Sequence, residues 1–282
     1  SDLCCCNALQ EKKGKTTLLK NPKLPNGLFF VSDKQSFLVD YTSYFTTFVY
    51  KRIFLTKSGI LFPAERSAED SYFLLCCLLY AQRTAQTDQP FYHYLLQDNS
   101  LSRQVNATRY LQKLSVAKRI LDDSKKHGFY DNYRHELDYI YLKKGYLMAT
   151  MNYLWNVQKP QIDVINKINR TLTENVPDYT TNPYFLKQPP LRILIFLLHK
   201  MPRTATKLIP MIINIFNIKS NRFRSYCNNF CCSTIRTRKS LSNLSILHLI
   251  IECCFLNCLT DNVTKYLLWL NDSKYWCYLA LW

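Results

Sequence analysis

The chain has 282 residues, 48% of them hydrophobic, enough to bury one sizeable core or one domain with appendages and too apolar for wholesale disorder. Its 37 basic and 20 acidic side chains leave a net charge of +17, which favours polyanionic partners: nucleic acid, anionic lipid or phosphorylated substrates. No RNP-like aromatic motif, zinc-finger spacing or run of five basic residues occurs, so the charge points to an anionic membrane surface rather than to specific nucleic acid. The first residue is Ser1, and the apolar run that follows is too short for the core of a signal peptide, so the chain reads as a mature or truncated piece.

Residues 3–9 predict a short strand, 10–27 a Lys-, Pro- and Asn-rich loop, and 28–31 a second strand. Residues 37–55 mix strand and short-helix signals. Ser67 followed three residues later by Asp70 predicts a capping box, opening a helix whose 72–80 stretch is buried on most sides. Phe91, His93 and Leu95 are expected on one face of a strand, with Tyr92 and Tyr94 on the other and Pro90 at its first residue. Residues 97–102 predict a polar loop.

From residue 107 the period becomes helical. Leu111, Leu114, Ala117 and Leu121 mark one face. Tyr133, Leu137, Ile140, Tyr141, Met148, Met151 and Trp155 mark a second helix, with Arg134, Lys143 and Lys144 toward its polar side. A third helix is predicted over 162–172, then a connector over 175–190. Residues 191–218 carry Arg192, Lys200, Arg203 and Lys207 but no acid, and Pro202 and Pro210 interrupt them. Their uncharged runs fall short of the roughly 20 residues a span requires. Two readings stand: a segment lying on a membrane, or a helical hairpin in the core. Residues 240–260 are apolar, but Glu252 and several Asn argue against a span.

Of the twelve cysteines, three are Cys4, Cys5 and Cys6, two are Cys76 and Cys77, and seven lie beyond residue 218. Adjacent pairs are poor chelators, and a reducing compartment is the simpler reading. Cys76 and Cys77 read as small buried hydrophobes. The spacing of Cys227, Cys231, Cys254 and Cys258 is loose for a zinc site.

Three features could carry chemistry. Glu69-Asp70 offers a carboxylate at a helix start, either as a general base or as part of the cap. His93 is either a core histidine or a contact for metal or phosphate. Asn99-Ser100-Leu101-Ser102-Arg103 could bind phosphate through Ser100, Ser102 and Arg103, or be a solvated turn.

Taken in order, four segments carry a resemblance: the aromatic Lys-Arg stretch over 47–55, the Gly-x-x-Phe-Pro of 59–63, Glu69-Asp70 opening a helix, and the Pro-x-Tyr-x-Tyr of 90–94 leading to Asn-Ser-x-Ser at 99–102. Over about residues 1–217 the chain resembles the second half of a family 2 inverting glycosyltransferase of the GT-A type, of the kind that builds bacterial capsule, exopolysaccharide or lipopolysaccharide. The resemblance implies an α/β fold: an acceptor-side GT-A half over 1–106, a mainly α-helical extension over 107–217 that docks on a membrane surface, and a Cys-rich tail over 218–282. It implies Asp70, beside Glu69, as general base on an acceptor hydroxyl, and His93 as a metal or diphosphate contact. Ser100, Ser102 and Arg103 would bind substrate. The implied partners are a nucleotide-sugar donor, a saccharide or lipid-linked acceptor, and a divalent metal, Mn or Mg. The implied location is cytoplasmic, peripheral on the inner face of the cytoplasmic membrane. The chain contains no Asp-x-Asp, no Gly-rich phosphate loop and only five glycines, and Leu95 stands where many relatives carry a basic residue. The nucleotide-binding half is therefore missing from the pattern, and the chain alone is expected to be inactive. The alternative is a non-catalytic, basic membrane-peripheral or scaffold protein whose acidic pair is only a cap.

Overall fold

The computed structural model describes residues 1–12, 14–19, 34–40, 45–65, 67–96 and 108–215. It has mixed helix and strand content, with a small sheet at one end and helices making up the rest. The predicted strand over 28–31 and the loop over 97–102 lie outside the described residues.

The sheet is organised around β1 (Leu3–Lys12). β4 (Thr84–Leu95) runs parallel along one edge of it. The opposite edge is shared by two short antiparallel strands: β3 (Phe48–Tyr50) against Leu3–Cys5, and β2 (Lys15–Leu19) against Ala8–Lys12. The loop expected over 10–27 is thus partly a hairpin, which turns at Gly14 with a φ of 75°. That left-handed conformation suits glycine, and it lets the Lys-rich strand double back.

Pro90 does not begin β4; it lies inside the strand, where the pairing with β1 slips on either side of Asn7. Proline has no N–H to give the ladder, and a bulge is where a strand tolerates one. The Asn7 side chain bridges the irregularity, donating from Nδ2 to the Asp88 carbonyl at 2.6 Å.

Around the sheet lie α1 (Lys34–Asp40), α2 (Arg52–Ser58) and α3 (Glu69–Tyr80). All residues of α3 from Tyr72 to Leu79 are buried, as the unbroken apolar run predicts. Its C-terminal end is closed by Lys34, whose Nζ donates to the Leu79 carbonyl at 2.7 Å.

α4 (Arg109–Lys126) buries Val116, Ala117, Ile120, Leu121 and Ser124. Leu111, expected on that face, is 45% exposed, because the buried seam begins about a turn later. The next helix is continuous in three parts: α5 (Arg134–Ile140), a π-helical segment (Tyr141–Leu147) and α6 (Met148–Asn156). The wider π turn shifts the faces of the helix. It carries Lys143 inward, against the expectation of a polar-side lysine. Lys143 is buried, with Nζ 5.3 Å from the centre of the Tyr139 ring. At Gly145 the π segment meets α4 so closely that a Cβ placed there would lie 2.5 Å from the Ala117 Cβ.

α7 (Ile162–Asn175) is fixed from two sides by buried Asn169, which accepts from the Tyr146 hydroxyl at 2.8 Å and donates to the Leu198 carbonyl at 3.1 Å. The expected connector contains α8 (Pro183–Leu186), capped by Asn182, and the start of α9 (Pro189–Lys200). α9 and α10 (Pro202–Ile215) form the core hairpin of the two readings offered for 191–218. Leu191, Ile195, Leu197, Leu198, Ala205, Leu208 and Ile209 are all buried. Pro202 separates the two helices, whereas Pro210 sits inside α10 without ending it. Among the described residues no helix is long and apolar enough to cross a membrane. One buried cluster runs from Leu3 on the sheet to Ile209 on α10.

Candidate functional site

The acidic pair stands where a loop from α2 enters α3. Gly59 closes α2 in the left-handed region, and the loop then lies over the core. Phe62 stacks on Phe73 with ring centres 4.1 Å apart and meets Phe45 edge-on at 5.2 Å. Glu65 accepts from the Ser115 hydroxyl at 2.9 Å and faces Arg119 at 3.6 Å. Ser67 is buried but is not the N-cap. Ala68 takes that position with a φ of 70°, and no side chain caps the helix. The capping box expected from Ser67 and Asp70 is therefore not formed. A left-handed alanine costs about 1 kcal/mol, so the backbone here is strained.

Glu69 and Asp70 occupy the first turn of α3. An Asp70 carboxylate oxygen accepts the Ser71 N–H at 2.7 Å. Burial pushes the Asp70 carboxyl above its ordinary range, and neighbouring Glu69 pushes the same way. The Ser71 N–H opposes this, as do Lys144 of the π segment and Lys113 of α4. Asp70 is thus a carboxylate with raised proton affinity, which the charges of two lysines from different elements oppose. Lys113 and Lys144 were not legible as a pair. They lie about thirty residues apart in sequence, on two elements that meet at Ala117 and Gly145.

The first turn is tied to α4 by Tyr72, which donates to Asp123 Oδ2 at 2.5 Å beneath the Arg119 guanidinium, 5.2 Å from the ring centre. Arg119 also faces Asp123 at 3.8 Å. This network fixes the position of Asp70 without touching its carboxylate.

The other candidates separate. The alternation on β4 is as expected, but the face that carries Phe91, His93 and Leu95 is the exposed one. The His93 side chain is 62% exposed and its Nδ1 lies 2.5 Å from Glu11 Oε1. His93 is therefore neither a core histidine nor joined by further ligands. Among the described residues no group of three or more His, Cys, Asp or Glu side chains could hold a metal ion. Ser100, Ser102 and Arg103 lie outside the described residues.

A second polar feature, a crevice of about 130 Å³, is lined by Arg134, His135, Asp138, Asp178, Thr181 and Asn182. Arg134 donates to Asp178 at 2.8 Å and faces Asp138 at 3.7 Å, and Asp138 accepts from the Tyr130 hydroxyl at 2.8 Å. These charges answer one another and tie α5 to the turn before α8. Buried Glu136 on the same helix accepts from the Tyr184 hydroxyl at 2.6 Å.

No protein-family model matches the chain, and no curated protein matches it.

Proposed function

We propose that the chain is the acceptor-side part of an inverting GT-A glycosyltransferase acting in bacterial surface polysaccharide synthesis, with Asp70 as general base. The observation that carries this reading is the state of Asp70. It takes no part in a capping box, it follows a strained Ala68, and burial raises its proton affinity. A carboxylate so placed is a stronger base than one in water. It would take the proton of an acceptor hydroxyl while that oxygen bonds to the anomeric carbon of a nucleotide-activated sugar. The bond from that carbon to the nucleoside diphosphate breaks on the opposite face, which inverts the centre. Glu69 beside it keeps the local field negative and favours proton uptake. The donor and the Mn or Mg ion belong to a nucleotide-binding half with an Asp-x-Asp motif.

The test joins this chain to such a half and measures sugar transfer. Asp70→Asn should lower turnover about a hundredfold or more, with nucleotide affinity unchanged. Unchanged turnover would remove Asp70 from the mechanism. The 282-residue chain alone should not transfer sugar, and robust transfer by it would overturn the acceptor-half reading.

A second reading, a non-catalytic basic protein at a membrane surface, is favoured by the net charge of +17. Strong binding to anionic vesicles, without sugar-nucleotide affinity even after the upstream half is restored, would select it.

A further inference from the structure

Over its described part, the basic segment that follows residue 190 buries its apolar face in the core. A different segment leaves its apolar side chains outside. α2 is a helix with no buried residue. It turns Phe54 and Leu55 toward the core and leaves Ile53 at 52% exposure. Val49 on β3 just before it is 67% exposed, and Leu61 just after it is 77% exposed. Exposed Lys51, Arg52 and Lys57 stand among these apolar side chains, and residues 41–64 contain no Asp or Glu. Both ends of the segment are held. The Lys51 N–H donates to the Asp2 carbonyl at 2.8 Å, and Phe62 is stacked on Phe73.

We propose that Val49, Ile53 and Leu61, with Lys51, Arg52 and Lys57, form the surface by which this protein docks on an anionic lipid bilayer. Charge complementarity names the partner. Three cations on a stretch that has no acid of its own match a layer of anionic headgroups, and aliphatic side chains at the same level enter the acyl boundary. A nucleic acid would use the cations but would have no use for Val49, Ile53 and Leu61, since stacking on bases is done by aromatic rings. The proposal deepens the membrane-surface reading given second above and is independent of the chemistry at Asp70. Loss of vesicle binding would leave the transfer assay standing, and loss of transfer would leave vesicle binding standing.

The experiment is flotation of the full chain with vesicles of phosphatidylcholine containing 30% phosphatidylserine, compared with pure phosphatidylcholine. Binding is expected only to the anionic vesicles. Lys51→Gln, Arg52→Gln and Lys57→Gln should each weaken it about fivefold. Ile53→Gln and Leu61→Gln should weaken it several-fold at unchanged charge and make it more sensitive to salt. Their exposure means the fold should survive, which thermal melts would verify. The three substitutions Lys51→Gln, Arg52→Gln and Lys57→Gln combined are compared with a control that removes equal charge from α9 and α10 by Lys200→Gln, Arg203→Gln and Lys207→Gln combined, and the control's effect should be the smaller. No binding to anionic vesicles, equal losses from the two charge triples, indifference to Ile53→Gln and Leu61→Gln, or preference for a single-stranded RNA over the vesicles would each overturn the proposal.

Discussion

Gly145→Ala is the sharpest test of the close packing of the π segment on α4. The new Cβ would stand 2.5 Å from the Ala117 Cβ and 3.9 Å from the Tyr141 ring. Carbon atoms rest at about 3.5–4.0 Å, so the π segment and α4 would have to separate by about 1 Å. Both atoms are fixed to helix backbones, so no side chain can rotate away, and the cost falls at the upper end of the usual overpacking range, about 3 kcal/mol. Alanine returns about 1 kcal/mol through its better helix propensity. The expected net loss is therefore about 2 kcal/mol, read from urea denaturation midpoints at unchanged slope. The same substitution in an Ala117→Gly background meets no methyl and should stabilise that background by about 1 kcal/mol. This reversal of sign is the signature of the contact. If Gly145→Ala stabilises the wild type, or costs the same in both backgrounds, the close crossing is not what selects glycine there.

Ala68→Gly relieves the left-handed φ of 70° and should stabilise the fold by about 0.5 kcal/mol, measured in the same titration; a loss would argue against strain at the entrance to α3. Asp70→Asn should be more stable than the wild type at pH 7. Because the folded protein holds the Asp70 proton more tightly than the unfolded chain, the wild type loses stability as pH rises through the raised folded-state value. The advantage of Asn should shrink as pH falls toward 3.8, and an advantage that grows in acid would reverse the sign of the argument. Burial pushes the Cys76 and Cys77 thiols up to about 12, so neither should be alkylated by iodoacetamide at pH 8 in the native protein, and both should react after unfolding. Rapid native labelling on peptides carrying these two residues would contradict their burial.

Elements with a strong local pattern were legible in the sequence. The 72–80 run is buried as far as Leu79, the alternation of 91–95 is as read, and the hairpin option for 191–218 is the observed one over the described part. What failed depended on partners distant in sequence. The cap expected from Ser67 gave way because the loop packs through Phe62, Pro63 and Glu65, and these contacts decide how the chain enters the helix. Pro90 looked like a strand start because the bulge that accommodates it depends on Asn7, more than eighty residues earlier. A regular helical period puts Lys143 on the solvent side, and the π turn breaks that period. The acidic pair was recognisable from its position at a helix start, whereas the two lysines whose charges act on Asp70 lie on α4 and the π segment, distant in sequence.

The central place of β1 has a consequence for how the chain is made. Its parallel partner pairs Leu3 with Thr84 and Glu11 with Leu95, so one whole edge of β1 waits for a segment about eighty residues downstream. At a synthesis rate of about 5–20 residues per second the wait is about 4–16 s. The hairpin with β2 covers only part of the other edge during that time. Until β4 emerges, a Cys- and Leu-bearing strand has open hydrogen-bonding groups, the condition under which nascent chains pair with one another or with a holding chaperone. Slowing translation between β3 and β4 should therefore raise the aggregated fraction of newly made protein. A circular permutant that brings β4 next to β1 in sequence should lower it.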